Sequence, residues 1–162
     1  MRFMTDTIDS LIGPITLVAS ETGLSHIYHA STLPVDVEHN PNRSAMELYR
    51  VWIREFLSGK SPAILPPLEI QHGTDLQRAV WHSLSQIPYG ETISYSELAQ
   101  AVGKPEAVRA VASACGANPL PLIIPCHRVI AKDGGLGGFA WGLDAKRYLL
   151  DLEQPKPTAQ AA

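Results

Sequence analysis

Residues 94–117 read SYSELAQAVGKPEAVRAVASACGA. Ser94 followed three residues later by Glu97 is a capping-box pattern, in which the hydroxyl takes the N3 amide and the carboxylate takes the cap amide. The helix it opens is predicted to stop at Gly103, because glycine tolerates the left-handed conformation that ends helices. Pro105 suits the first turn of a second helix, where its missing N–H costs nothing, and that helix is predicted to run to about Ala117. Two short helices joined by Gly103-Lys104-Pro105 outline a helix-turn-helix, although an αα-hairpin inside a core has the same spacing. On the second helix Val108, Val111, Ala112 and Cys115 share a face that can pack inward, Cys115 as a small core residue. The opposite face carries Arg109, Ala110, Ser113 and Ala117. A solvent face normally bears long charged side chains. One this bare lets the backbone approach a partner surface, unless neighbouring segments bury both faces.

Upstream, Thr74 and Gln77 repeat the capping-box pattern, Leu76, Val80, Trp81 and Leu84 line one face, and Pro88-Tyr89-Gly90 ends the helix. Before residue 71 the pattern is mixed. Ile15-Thr16-Leu17-Val18 reads as a short buried strand, and Glu21-Thr22-Gly23 turns into an alternating strand from Leu24 to His29. Residues 31–42 read as loop. Ser44 and Glu47 predict a cap for a helix carrying Leu48, Val51, Trp52 and Leu57 and stopping at Gly59. Pro62, Pro66 and Pro67 interrupt the chain before Leu68-Glu69-Ile70, a predicted edge strand. The class is α+β: a small N-terminal α/β domain with a short antiparallel sheet over residues 1–70, a mainly helical domain over 71–154, and a frayed polar tail over 155–162.

With 162 residues and 45% hydrophobic content the chain can bury a real core, which argues against disorder. It has no apolar run long enough to span a membrane and no secretory pattern near Met1. Its two cysteines make neither a disulfide scaffold nor an all-cysteine zinc site, so a reduced cytoplasmic protein is expected. The 13 basic and 16 acidic residues, net −3, argue against a nucleic-acid binder only if charge is spread evenly. It is not. Residues 1–70 hold 5 basic and 8 acidic residues, residues 71–162 hold 8 of each, and 107–132 contain Arg109, Arg128 and Lys132 with no acid.

The chemistry gathers in NPLPLIIPCHRVI, residues 118–130. Its prolines fix an extended or turning backbone, which predicts a rigid connector for Cys126. A thiol becomes nucleophilic when a base or a cation favours the thiolate, and His127 and Arg128 follow directly. Neighbours on an extended chain point opposite ways, so His127 would reach the sulfur through a water. A carboxylate is wanted to orient the imidazole, and several are available.

Residues 124–130 resemble the active-site signature of the O6-alkylguanine-DNA alkyltransferases, the methylated-DNA–protein-cysteine methyltransferases. The likeness extends through Thr74-x-x-Gln77-x-x-Val80-Trp81, Ile87-Pro88-Tyr89-Gly90, Ser94-Tyr95, Arg109-Ala110-Val111, Asn118-Pro119 and Leu149-Leu150-x-x-Glu153, and more loosely to Asp9-Ser10-x-Ile12-Gly13-Pro14. It implies a winged-helix-like C-terminal domain and one-turnover, cofactor-free repair of O6-alkylguanine, with O4-alkylthymine as a lesser substrate. Cys126 would accept the alkyl group, His127 would take the thiol proton through a water, and Glu153 would hold His127. Tyr95 would protonate the leaving base and crowd the 3′ phosphate, and Asn118 would brace the turn before the active site. Arg109 would fill the stack left by a flipped base, with Ala110, Ser113 and Ala117 in the minor groove and Arg128 counted among the DNA contacts. Cys115, Val129, Phe139 and Ala140 would form the base pocket, the carbonyls of Cys126 and Val129 taking the guanine amino group. The implied partner is duplex DNA, met by a monomer, with packing along DNA left open.

Three positions depart from the pattern: Phe139 where many relatives carry Tyr, Trp141 where Gly is commoner, and Cys115 where several carry a larger apolar residue. The 162 residues show neither the zinc-binding cysteines of animal relatives nor the second domain of adaptive-response regulators, so neither a structural zinc nor transcriptional control is expected. Two rival readings are a lesion-binding module, which usually has Trp at the nucleophile position, and a cysteine hydrolase, which would need an oxyanion hole.

Overall fold

Strands β1 (Met4–Ile8), β2 (Ile15–Ala19) and β3 (Leu24–His29) pair antiparallel in the order β1-β2-β3, with Ile8 opposite Ile15 and Ile15 opposite His29. This is a computed structural model that describes residues 3–155, so the predicted tail falls, but for Pro155, outside the described residues. β2 is central and buried at all five positions, as its unbroken Ile-Thr-Leu-Val-Ala run requires. β1 escapes sequence reading because its middle, Thr5-Asp6-Thr7, is polar. Thr5 is nonetheless buried, and the Thr7 and Thr16 hydroxyls meet across the strands at 3.0 Å.

Helix α1 (Arg43–Leu57) covers the sheet with Met46, Tyr49, Trp52, Ile53 and Phe56. Its N-cap is Asn42, whose side chain accepts from the Ala45 amide; the predicted Ser44 lies inside the helix. Leu48 and Val51 turn outward, because the buried row runs 46-49-53-56. Leu68 makes only an isolated bridge to Leu24 instead of the expected edge strand, since Pro66 and Pro67 just before it have no N–H to donate.

Both remaining capping boxes are present, Thr74 with Gln77 at the start of α2 (Asp75–Leu84) and Ser94 with Glu97 at the start of α3 (Tyr95–Ala101). Gly103 sits at φ +73°, and the Lys104 amide donates back to the Ala99 carbonyl, closing α3 as predicted. Helix α4 (Val108–Gly116) begins later than expected: Pro105 and Glu106 form a turn held by the Ala107 amide on the Lys104 carbonyl. The Trp81 indole N–H donates to the Ala114 carbonyl at 2.9 Å, and this bond pins α2 against α4. Beyond α4, a 3₁₀ turn (Cys126–Arg128) leads into β5 (Val129–Ile130), which pairs parallel with β4 (Ile93–Ser94), and α5 (Leu143–Leu152) closes the fold. One hydrophobic cluster runs from Ile8 to Leu149. Among the described residues no helix is long and apolar enough to cross a membrane.

Candidate active site

Cys126 opens a 3₁₀ turn between Pro125 and β5, the turning form of the extended or turning connector expected from its prolines. The turn is braced from Asn118, whose amide nitrogen donates to the Ile124 carbonyl at 2.7 Å and whose oxygen accepts the Leu120 amide at 2.9 Å. Between these anchors Leu122 is held at φ +78°, a left-handed conformation costing a side-chain-bearing residue about 1–3 kcal/mol, so the segment is over-determined by its bracing. Burial pushes the Cys126 thiol up to about 11, against the opposing pull of the Asn118 side chain and the Lys146 cation. The resting sulfur is therefore protonated at neutral pH.

His127 is fully buried, and its Nε2 meets Glu153 Oε2 at 2.5 Å. Burial and the nearby Arg128 and Lys146 cations lower its pKa, while Glu153 pulls the other way, leaving it neutral. A neutral ring that donates through Nε2 keeps a lone pair on Nδ1, and Nδ1 is buried with no hydrogen-bond partner. The Phe56 ring of α1 packs edge-on against the imidazole at 5.9 Å. Glu153 caps α5 and is held on every side: Arg128 donates to it from Nε at 2.8 Å and Nη2 at 2.9 Å, and the Gly90 amide from 3.1 Å. Burial alone would raise its pKa, but the hydrogen bonds from His127 and Arg128 bring it down to about 2. Arg128 is thus misassigned as a DNA contact. It is buried, its Nη1 donates to the Ile87 carbonyl at 2.7 Å, and its guanidinium lies over the Tyr89 ring. A bidentate arginine is what lets a carboxylate stay charged inside the protein.

Above the thiol lies a pocket of about 570 Å³ lined by Tyr95, Cys115, Phe139 and Ala140 together with Cys126. Cys115 faces this pocket and is not simply a core residue; burial pushes its thiol up to about 12. Ala112 also lines the pocket, and Ala114 takes the inward place on α4. Val129 lies outside the lining, and its carbonyl already accepts the Lys146 ammonium at 2.6 Å.

Sequence reading missed two features of the pocket. Lys146 is fully buried and also bonds the Leu136 and Gly138 carbonyls, fixing the loop before α5, with its Nζ 5.7 Å from the centre of the Tyr95 ring. The Tyr95 hydroxyl donates to Gly138, 3.3 Å away, and a Cβ at Gly137 (φ +70°) would stand 2.7 Å from the same ring. Strand β3 and the turn after it supply a wall as well: Ile27, Tyr28 and Thr32 line the pocket, and the Ile27 amide donates to the Pro119 carbonyl. Trp141 stacks on His29 and meets Phe139 at a tilt, which ties the loop to β3. On α4, Arg109, Ala110, Ser113 and Ala117 are all exposed, a nearly bare face with one arginine.

A buried thiol beside a neutral, carboxylate-held imidazole, under an apolar pocket flanked by a helix-turn-helix, defines an alkyl-accepting, DNA-binding class of protein. Residues 75–155 match the family model described as 6-O-methylguanine DNA methyltransferase, DNA binding domain. The chain is 42% identical to the methylated-DNA–protein-cysteine methyltransferase of Methanosarcina barkeri, over 92% of this chain and 96% of that one. It is 39% identical to the protein of the same name from Mycobacterium tuberculosis, over 94% and 93%. The crystal structure of Mycobacterium tuberculosis OGT in complex with DNA superposes with a TM-score of 0.85 over 93% of this chain and 92% of that one, at 39% identity. This chain belongs to the methylated-DNA–protein-cysteine methyltransferase family.

Proposed function

We propose that this protein reverses alkylation damage in duplex DNA by moving the alkyl group from guanine O6 to Cys126 Sγ, once per molecule, with O4-alkylthymine as a lesser substrate. The observation that carries this reading is the unpartnered Nδ1 of a neutral His127, backed by charged Glu153, on the residue next to a protonated thiol. The thiol proton passes to Nδ1, through a water where the gap needs one, and the growing imidazolium is stabilised by Glu153. The sulfur attacks the alkyl carbon, the C–O6 bond breaks, and the electron pair leaves with the base. Tyr95, which lines the pocket and whose hydroxyl now donates to the Gly138 carbonyl, supplies the proton that neutralises the departing guanine. The S-alkyl product is stable, so turnover stops there.

The base must leave the stack to reach a buried sulfur, at a cost of roughly a few kcal/mol. The bare face of α4 supports minor-groove approach, with Arg109 taking the vacated space. The base pocket is then Tyr95, Cys115, Phe139 and Ala140, with the guanine amino group displacing the Cys115 thiol, 4.0 Å away, from the Cys126 carbonyl. A division near residue 70 is supported by Glu69, whose amide still bonds the Leu24 carbonyl of β3. Cys115 and Cys126 are free thiols and the reaction needs the reduced form, which supports work in a reducing cytoplasm.

The test is transfer of label from a short duplex carrying labelled O6-methylguanine. One equivalent should be bound per chain, and Cys126→Ala should abolish transfer while keeping duplex affinity. Repeated turnover would point to a hydrolase, and binding without transfer to a lesion sensor.

A further inference from the structure

A second cleft, of about 390 Å³, lies where β1, the β1–β2 turn, α1 and α5 meet, and it shares no lining residue with the thiol pocket. Arg43, Arg50 and Arg54 all line it, so three of the five cations in the acid-rich residues 1–70 share one cleft. Their spacing places them on one stripe of α1, the outer two about 16 Å apart at a helix rise of about 1.5 Å per residue. Arg50 is the fixed centre: its side chain is 4% exposed, and its Nε stands 2.9 Å from Asp6 Oδ2 without hydrogen-bond alignment. A guanidinium carries five N–H donors, and one carboxylate uses only part of them. The head groups of Arg43 and Arg54 and the hydroxyl of half-buried Tyr148 have no partner among the described residues. Against these stand two carboxylates, Asp6 on Arg50 and exposed Asp9 on the wall, which leaves the cleft one cation in surplus.

Burying an arginine costs several kcal/mol that an apolar pair would not incur, so stability alone is a weak reason for Arg50. A planar fork held in place between two free guanidiniums is suited to phosphate oxygens, which arginine binds bidentately. A single phosphate covers too little of the stripe to engage all three. We propose that this cleft binds a run of phosphates, as carried by a polyphosphate chain such as that of a nucleoside triphosphate or by the backbone of a nucleic-acid strand. The site is separate from the thiol pocket and does not rest on the alkyl-transfer reading.

The experiment titrates the full chain with sodium tripolyphosphate by calorimetry at low ionic strength. One saturable site is expected, weakened at least about tenfold in Arg43→Gln/Arg54→Gln and measurably in Tyr148→Phe, with Lys104→Gln, a cation away from the cleft, close to unchanged. Arg43 and Arg54 are exposed, so the double variant should keep its circular dichroism and melting point; Tyr148→Phe checks the site without changing charge. Competition with a short undamaged duplex then identifies the source. Displacement of the duplex by tripolyphosphate, with weaker duplex binding and a shallower salt slope in the double variant, marks a strand. Unchanged duplex binding alongside lost tripolyphosphate binding marks a free phosphate chain. No saturable binding, or equal loss in Lys104→Gln, overturns the site.

Discussion

Two opposing pKa shifts sit on adjacent residues, and under the proposed alkyl transfer they set the resting state from which Cys126 acts. The Cys126 thiol is held up near 11 and the His127 imidazole is held down, so the resting pair is thiol plus neutral base over a wide range. The transfer rate at constant ionic strength should be flat from about pH 7 to 9 and should fall only at a pH below the ordinary imidazole value of about 6.5, where His127 takes a proton. A rise that follows the ionisation of a free thiol, near 8.5, would show that His127 is not the base. Glu153→Gln keeps the shape but removes the charge that stabilises the imidazolium, and should slow transfer by about 10² or more with duplex affinity unchanged. The Cys126-His127 pair was legible because both side chains are adjacent and chemically distinctive. Arg128 was not: a basic residue beside a catalytic pair looks the same whether it turns to DNA or, as here, to a carboxylate 25 residues on. Lys146 hid for the same reason, since Ala145-Lys146-Arg147 reads as a solvated helix until the Val129, Leu136 and Gly138 carbonyls converge on its ammonium.

At the scale of elements, local signals were reliable where one side chain closes one turn, and failed where two side chains compete. Thr74 and Ser94 cap as read, but Asn42, just upstream of Ser44, reaches the Ala45 amide and starts α1 earlier. Strands β4 and β5 are two residues each and exist only through one another, so neither carries a periodic signal. The element proposed to meet DNA is α4, whose exposed face carries small residues around Arg109 as read from the sequence. If that arginine holds the place of a flipped base, Arg109→Ala should slow transfer from duplex about tenfold or more while leaving transfer from the free O6-alkylguanine base unchanged. Equal rates on both substrates would remove the residue from flipping. Loss on both would mean that it shapes the pocket.

For the molecule as a whole, the N-terminal sheet and the helix that covers it are part of the site rather than an appendage: Phe56 of α1 backs His127, β3 walls the pocket, and His29 holds Trp141. None of these contacts is visible to a reading that treats the chain in segments, because each joins residues more than fifty positions apart. The price of so much buried ionisable chemistry is a narrow pH range of full stability, with signs that can be worked out. His127 is neutral when folded, so below its ordinary pKa of about 6.5 the unfolded chain takes up a proton that the folded chain refuses, and stability falls. Glu153, at about 2 when folded against 4.5 ordinarily, adds stability that is present above 4.5 and lost as pH drops towards 2. On the alkaline side Cys126 and Cys115 keep their protons to about 11 and 12, so above 9 the unfolded chain alone ionises and stability falls again. Denaturant midpoints should therefore be level between about pH 6.5 and 9, decline below 6.5 with a steeper fall below 4.5, and decline above 9. Glu153→Gln should be less stable than the parent at pH 7 but lose less on going to pH 3, because it has no carboxylate left to protonate. Parallel curves for the two proteins in acid would show that Glu153 does not carry the linkage.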